Sequence, residues 1–424
     1  MNFEESIYFL LYIFFYIILL IKFKRSRYKS KIGITLIFIW LFSSLAGFYY
    51  DLDPIFFHYN KITLIPFIYF FIVNLIIFLP VLKNNPDKIL VIHYNKRITR
   101  YLTIFIIIIS IPCFFENVIH LLVNGFSSLS ADSINARYED VDETYSYLSK
   151  VSEMFTKIYH SLCLIVPLLF FLSIKEKNKL NMIGLIICIV NSVIESFCIG
   201  SRVMLVFLAF SFLITYLLIG KFLDERFKKR LVRKTFYPSL IVLTIFVAIT
   251  VVRYNSLAFS SRVSITQWVC QYAGECHGNF NADCWHITYF SKDDIVSKIY
   301  KKDFLGQNFK QREFTGKTPY PDEFKIIQFY GAIGTYFSAY GHVITFILFA
   351  FASILFCHLL KIKRKYKFSS IVLYLFYAKI PFLGFTYFTY QYDAQQVVVI
   401  PIIYFILKFY ERKSSVIKVP TNAG

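Results

Sequence analysis

The sequence predicts an all-α fold, a polytopic transmembrane helical bundle of about eleven spans with one large extracytoplasmic loop. Two observations lead there. The first is that the 424 residues are 57% apolar and 20% aromatic, with uncharged runs of about twenty residues recurring along the chain. A helix rising about 1.5 Å per residue needs about that many to cross roughly 30 Å of hydrocarbon. A soluble core would break such runs with polar positions at helical spacing, and a membrane β-barrel would show alternating segments of about ten residues. The second is that charge is partitioned. The segments 22–31, 83–100, 175–179, 221–234, 361–367 and the tail from Lys408 hold 30 basic and 5 acidic residues, whereas the rest of the chain holds 16 and 21. Basic and non-basic loops alternate without exception, so the positive-inside rule places the first group in the cytoplasm.

Taken in order, the spans fall at about 7–22, 32–50, 62–82, 101–124, 155–174, 180–199, 202–220, 237–254, 330–360, 369–389 and 394–410, with the N-terminus outside and the C-terminus inside. The whole chain, 1–424, reads as a single transmembrane domain. The first span follows an acidic segment, lacks a small-residue cleavage site and precedes six basic residues, so it reads as a retained anchor. The net charge of +20 is accounted for by topology, which leaves no argument for nucleic acid as a partner. The lipid bilayer is the partner that composition does imply. No Asn-x-Ser/Thr acceptor occurs, in keeping with a bacterial inner membrane.

The sixth and seventh spans come from one apolar run, 180–220, whose only charged residues are Glu195 and Arg202. A single helix of that length would measure about 60 Å, so the run must turn, and Gly200-Ser201 is the local signal for a turn. Both flanking loops are basic, which puts the turn and Arg202 at the external surface. Arg253 ends the eighth span and Arg262 follows it, so three arginines gather at one face. Planar, permanently charged guanidinium groups at that spacing suit a phosphate or diphosphate. The competing account is structural, with Glu195 and Arg202 forming an ion pair that holds the hairpin and the other arginines snorkelling to the interface.

The large loop, 255–329, carries QYAGECHGNFNADC and, at 293–306, a segment with apolar residues at helical spacing. Its Glu275, His277, His286 and Asp322 are candidate bases for a hydroxyl nucleophile, or are simply solvated loop residues. Cys270, Cys276 and Cys284 permit one disulfide in an oxidising compartment, while their spacing lacks the Cys-x2-Cys start of a zinc site. Glu116 and His120 share a helix face near the outer end of the fourth span, where they line a cavity or satisfy each other. Lys379 falls near the middle of its span and calls for a buried partner or a lipid phosphate. Tyr390 lies in TYFTYQYDAQQ, whose rings with polar tips suit either sugar binding or an interfacial belt. Asp51 and Asp53 in DLDP read as a turn rather than an ion site. Gly331, Gly334 and Gly341 point to close helix packing.

The Gly-Ser-Arg hairpin, the arginine ending the next span, the large loop and the segment PDEFKIIQFYGAIGTYFSAYG entering a long span resemble those of bacterial O-antigen polymerases (Wzy), the oligosaccharide repeat unit polymerases. Val203 follows Gly-Ser-Arg where many members have glycine. The resemblance implies a glycosyltransferase of type C-like architecture that uses undecaprenyl-diphosphate-linked oligosaccharides as donor and acceptor, builds O-antigen or capsular polysaccharide, and works alongside a chain-length regulator. It implies Arg202, Arg253 and Arg262 as diphosphate ligands, Glu195 as their supporting carboxylate, and no cofactor. A flippase for the same lipid-linked oligosaccharide and an O-antigen ligase are the alternatives.

Overall fold

The computed structural model describes residues 2–53, 60–124, 147–199, 203–225, 264–286, 331–386, 396–411 and 415–418, with scattered positions between 228 and 255. Among these, eight helices are long and apolar enough to cross a membrane, and they coincide with the first seven and the ninth of the predicted spans. Two shorter apolar helices, Phe368–Leu383 and Gln396–Tyr410, fall on the last two. The predicted eighth span lies mostly outside the described residues, although those described from Leu240 to Asn255 are helical.

Contacts divide the chain into two compact units. The first comprises 1–87, 263–362 and 377–397, and the second 88–262, 363–376 and 398–424.

The first unit opens with α1 (Phe3–Arg25), α2 (Lys31–Leu52) and α3 (Leu64–Lys83). Helix α1 starts in a reciprocal cap, where Asn2 Oδ1 accepts from Glu5 N–H and Glu5 Oε2 accepts from Asn2 N–H. Acidic residues in its first turn and basic ones in its last complement the helix dipole. Rings hold the three helices together, with Tyr12 stacked on Phe67 at 4.6 Å and Tyr16 on Trp40 at 6.3 Å, and Trp40 also donates through Nε1 to Pro381 O at 2.6 Å.

The beginning of the large loop differs from its prediction. Residues Ile265–Ala282 form a helix that lies buried against α2, among rings from α1 and α3. Its glycines allow this: a Cβ on Gly274 would strike the backbone of Gly47, and one on Gly278 would strike the Asp51 carboxylate. Asp51 is accordingly buried at the end of α2 rather than displayed on a turn. The predicted helix at 293–306 lies outside the described residues.

The last long helix of this unit, Gly331–Leu359, is not continuous. It breaks at Gly341, whose φ of 73° is a left-handed conformation that residues with a Cβ adopt at a cost. Gly331 also has positive φ, and a Cβ there would meet Gly384 O at 2.7 Å. Close packing thus accounts for Gly331, whereas backbone conformation alone accounts for Gly341. All eight cysteines are free, so the disulfide allowed by the sequence is not formed: Cys276 and Cys284 are separately buried.

In the second unit α4 (Lys96–Asn124) packs against α5 (Lys150–Leu162) and α7 (Lys179–Ile199), while α6 (Val166–Lys175) continues α5 after a short 3-10 turn and α8 (Val203–Ile219) follows α7. The run 180–220 therefore contains two helices, and the predicted turn position, 200–202, lies outside the described residues. An element absent from the prediction completes this unit: a three-stranded sheet of order β2-β1-β3, with β1 Val91–Tyr94, β2 Lys365–Lys367 and β3 Ser415–Lys418. Strands β1 and β2 pair in parallel, β1 and β3 antiparallel. Each comes from a different basic segment, so three segments expected on one side of the membrane are hydrogen-bonded together.

Candidate functional site

A buried polar cluster in the second unit lies among α4, α5 and α7. Buried positions on α7 recur at helical spacing as small or polar residues: Gly184, Cys188, Asn191, Ser192 and Glu195. Such a stripe faces a protein interior, because polar groups in hydrocarbon need internal partners. The partners are present. Asn117 Nδ2 donates to Asn191 Oδ1 at 2.9 Å, and Tyr147 donates to Asn117 Oδ1 at 2.8 Å. Tyr159 donates to Cys188 O at 2.8 Å with Ser192 Oγ at the same distance.

At the end of this stripe Glu195 is fully buried, with Oε1 2.7 Å from His160 Nε2. His160 keeps 17% of its side-chain surface exposed, which joins the buried carboxylate to the edge of the cluster. The structure thus gives Glu195 a partner on α5, where the sequence had offered only Arg202.

Glu116 is engaged at the start of α5. Its carboxylate accepts from Ser149 N–H, Ser149 Oγ and Ser152 Oγ, each at 2.7 Å. It is a cap supplied from α4 to the first turn of α5, where free amides and the positive end of the dipole attract an anion. His120 stacks on Tyr147 at 4.1 Å and meets Asn124 at 3.0 Å through Nδ1.

In the first unit the loop helix 265–282, which is not among the candidate spans, carries two predicted bases. Neither is solvated. Glu275 is buried. His277 is fully enclosed, with Nδ1 2.9 Å from Tyr12 O–H and Nε2 2.9 Å from Ser43 Oγ. Burial pushes its imidazole down to about 3, so it stays neutral and ties three helices together. Both ring nitrogens are occupied, which leaves no lone pair for a substrate proton. His286 is exposed, just beyond this helix. Lys379 has a buried partner: its Nζ donates to Gln396 Oε1 at 2.9 Å.

Arg202, Arg253, Arg262, Asp322 and Tyr390 lie outside the described residues. Among the described residues no group of three His, Cys, Asp or Glu is placed to hold a metal ion. Sequence reasoning passed over His160, Asn117 and Asn191. The signal was available, since each is a polar residue inside a predicted span, and Asn191 precedes Glu195 by one helical turn. The chain matches no family model, no curated protein and no solved structure.

Proposed function

We propose that this chain is a polyprenyl-dependent glycosyltransferase of the O-antigen polymerase kind. It joins undecaprenyl-diphosphate-linked repeat units into O-antigen or capsular polysaccharide at the external face of a bacterial inner membrane, with the N-terminus outside and the C-terminus in the cytoplasm. The observation that supports this reading is Glu195: a fully buried carboxylate paired with His160, seven residues before Arg202 in the sequence. A buried ionisable group is costly to maintain, and in a membrane bundle it marks a working site by default.

In the proposed reaction an acceptor hydroxyl on a new lipid-linked unit attacks the anomeric carbon of the growing chain. A carbon–oxygen bond forms to the acceptor, the bond to the diphosphate breaks, and undecaprenyl diphosphate leaves with the electron pair. Arg202, Arg253 and Arg262 neutralise the charge that develops on the leaving diphosphate, and fixed guanidinium groups do this without reorganising. Glu195 lies on the helix that leads into Arg202, and as its supporting carboxylate it would orient the guanidinium. The proton of the acceptor goes to a base; His286 is the described candidate that is open to solvent.

The test is the surface glycan ladder of a strain lacking the gene. A polymerase loss leaves a single repeat unit on the surface. A flippase loss leaves none, and a ligase loss leaves polymer on undecaprenyl diphosphate, so either of those outcomes replaces this reading.

A further inference from the structure

The three-stranded sheet gathers lysines in a way that topology alone does not require. Partners across a ladder point to the same face, so the register makes one row of Lys365, Val91 and Lys418 and a second of Lys367, His93 and Val416. Lys365, Lys367 and Lys418 are exposed, while the alternate residues Ile92 and Tyr366 are buried on the other face. At about 4.8 Å between strands, the two lysines flanking Val91 stand roughly 10 Å apart. Like charges concentrated on a sheet repel. The neighbouring carboxylate, Glu411, is largely engaged elsewhere: it accepts from Ser369 N–H at 2.8 Å and Ser369 Oγ at 3.0 Å, and Lys367 Nζ is 3.8 Å away.

The sheet is also held at the membrane edge. A single residue separates β1 from α4, β2 runs directly into the helix Phe368–Leu383, and β3 begins five residues after the helix Gln396–Tyr410 ends. Asn95 Nδ2 donates to Tyr410 O at 2.8 Å, fastening the two helix ends beside the strands. The three strands therefore adjoin the ends of three apolar helices.

We propose that this face binds the phosphate headgroups of anionic phospholipids in the adjoining leaflet. The long side chains of the flanking lysines can converge across that roughly 10 Å on a headgroup with one or two phosphates, which adds to Glu411, the one carboxylate paired with the sheet lysines among the described residues. Binding also pins the C-terminal strand, and this proposal is independent of the catalytic reading.

The full-length protein, purified in neutral detergent, is tested by native mass spectrometry with phosphatidylglycerol, cardiolipin or phosphatidylcholine. A cation near the surface is worth about fivefold in lipid affinity. The combined variant Lys365→Gln, Lys367→Gln, Lys418→Gln is expected to lose at least about tenfold in retention of the anionic lipids and nothing for phosphatidylcholine. A control removing Lys22, Lys24 and Arg25 at the end of α1 is expected to change it less than about threefold. The triple Lys→Arg variant keeps binding, and should the Gln triple aggregate, Lys365→Gln alone against Lys365→Arg decides. Equal losses from sheet and control variants, or undiminished retention by the sheet variant, overturn the proposal. Displacement of the lipid by equimolar inorganic phosphate overturns it too, by making the face a free-anion site.

Discussion

Replacing Gly274 by alanine is expected to open the crossing between α2 and the loop helix. The added methyl would sit 2.5 Å from Gly47 Cα and 2.6 Å from Ser43 O, both backbone atoms that cannot swing away. Restoring van der Waals contact at about 3.5 Å requires the helices to part by roughly 1 Å. Two hydrogen bonds straddle the crossing, Ser43 Oγ to Ala273 O at 2.6 Å and Ser43 Oγ to His277 Nε2 at 2.9 Å, and that displacement breaks both. Overpacking costs about 1–3 kcal/mol and each net hydrogen bond about 1 kcal/mol, for a total of about 3–5 kcal/mol. In a unit of roughly two hundred residues that lowers Tm by roughly 10 °C. The assay is thermal unfolding of the purified protein in one detergent, with Gly341→Ala alongside. Among the described residues nothing lies within 4 Å of a Cβ at Gly341, so that variant is expected to bear the left-handed backbone penalty of about 1–2 kcal/mol. A Gly274→Ala protein no less stable than Gly341→Ala would refute the buried crossing.

Other expectations follow from single contacts. Glu116→Ala removes the acceptor of three hydrogen bonds at the start of α5 and should cost about 2–3 kcal/mol after allowance for its partial exposure, with Glu116→Gln recovering part, as read by thermal unfolding. Because burial holds the folded His277 pKa below its unfolded value, the stability it contributes is complete above pH 6.5 and is lost as pH falls from there toward 3; chemical unfolding should show a slope of up to about 1.4 kcal/mol per pH unit that His277→Gln abolishes. Lys379→Met leaves Gln396 Oε1 without this donor and should cost about 1–3 kcal/mol, most of it regained in the double variant with Gln396→Leu. For Glu195→Gln the expectation is a folded protein whose polymer output falls at least about tenfold; full output would remove the carboxylate from the site.

Much of the fold was legible because hydrocarbon imposes simple rules. Long uncharged runs marked eight helices to within a few residues, and the run 180–220 holds two helices as its length required. The misses have physical causes. The helix 265–282 is too polar to read as a span, and its burial depends on a pairing of Gly47 with Gly274 that no local pattern announces. The kink at Gly341 is invisible to hydropathy, since glycine is as apolar as its neighbours require. The sheet was hidden because its strands lie hundreds of residues apart and their lysines were fully explained by topology. At the site, Glu195 was singled out as a lone charge in an apolar run, but its partner was not: His160 is uncharged in a hydropathy count, and only the packing of α5 on α7 brings it within 2.7 Å.

The most direct test of the proposed chemistry is reconstitution. The purified protein in proteoliposomes, supplied with undecaprenyl-diphosphate-linked repeat units and nothing else, is expected to yield a ladder of multiples of the unit. One undecaprenyl diphosphate should be released per bond formed, and Arg202→Ala should abolish the ladder while remaining folded and membrane-inserted. Folded protein that translocates the lipid-linked units without joining them, or an Arg202→Ala protein with an unchanged ladder, would contradict the account.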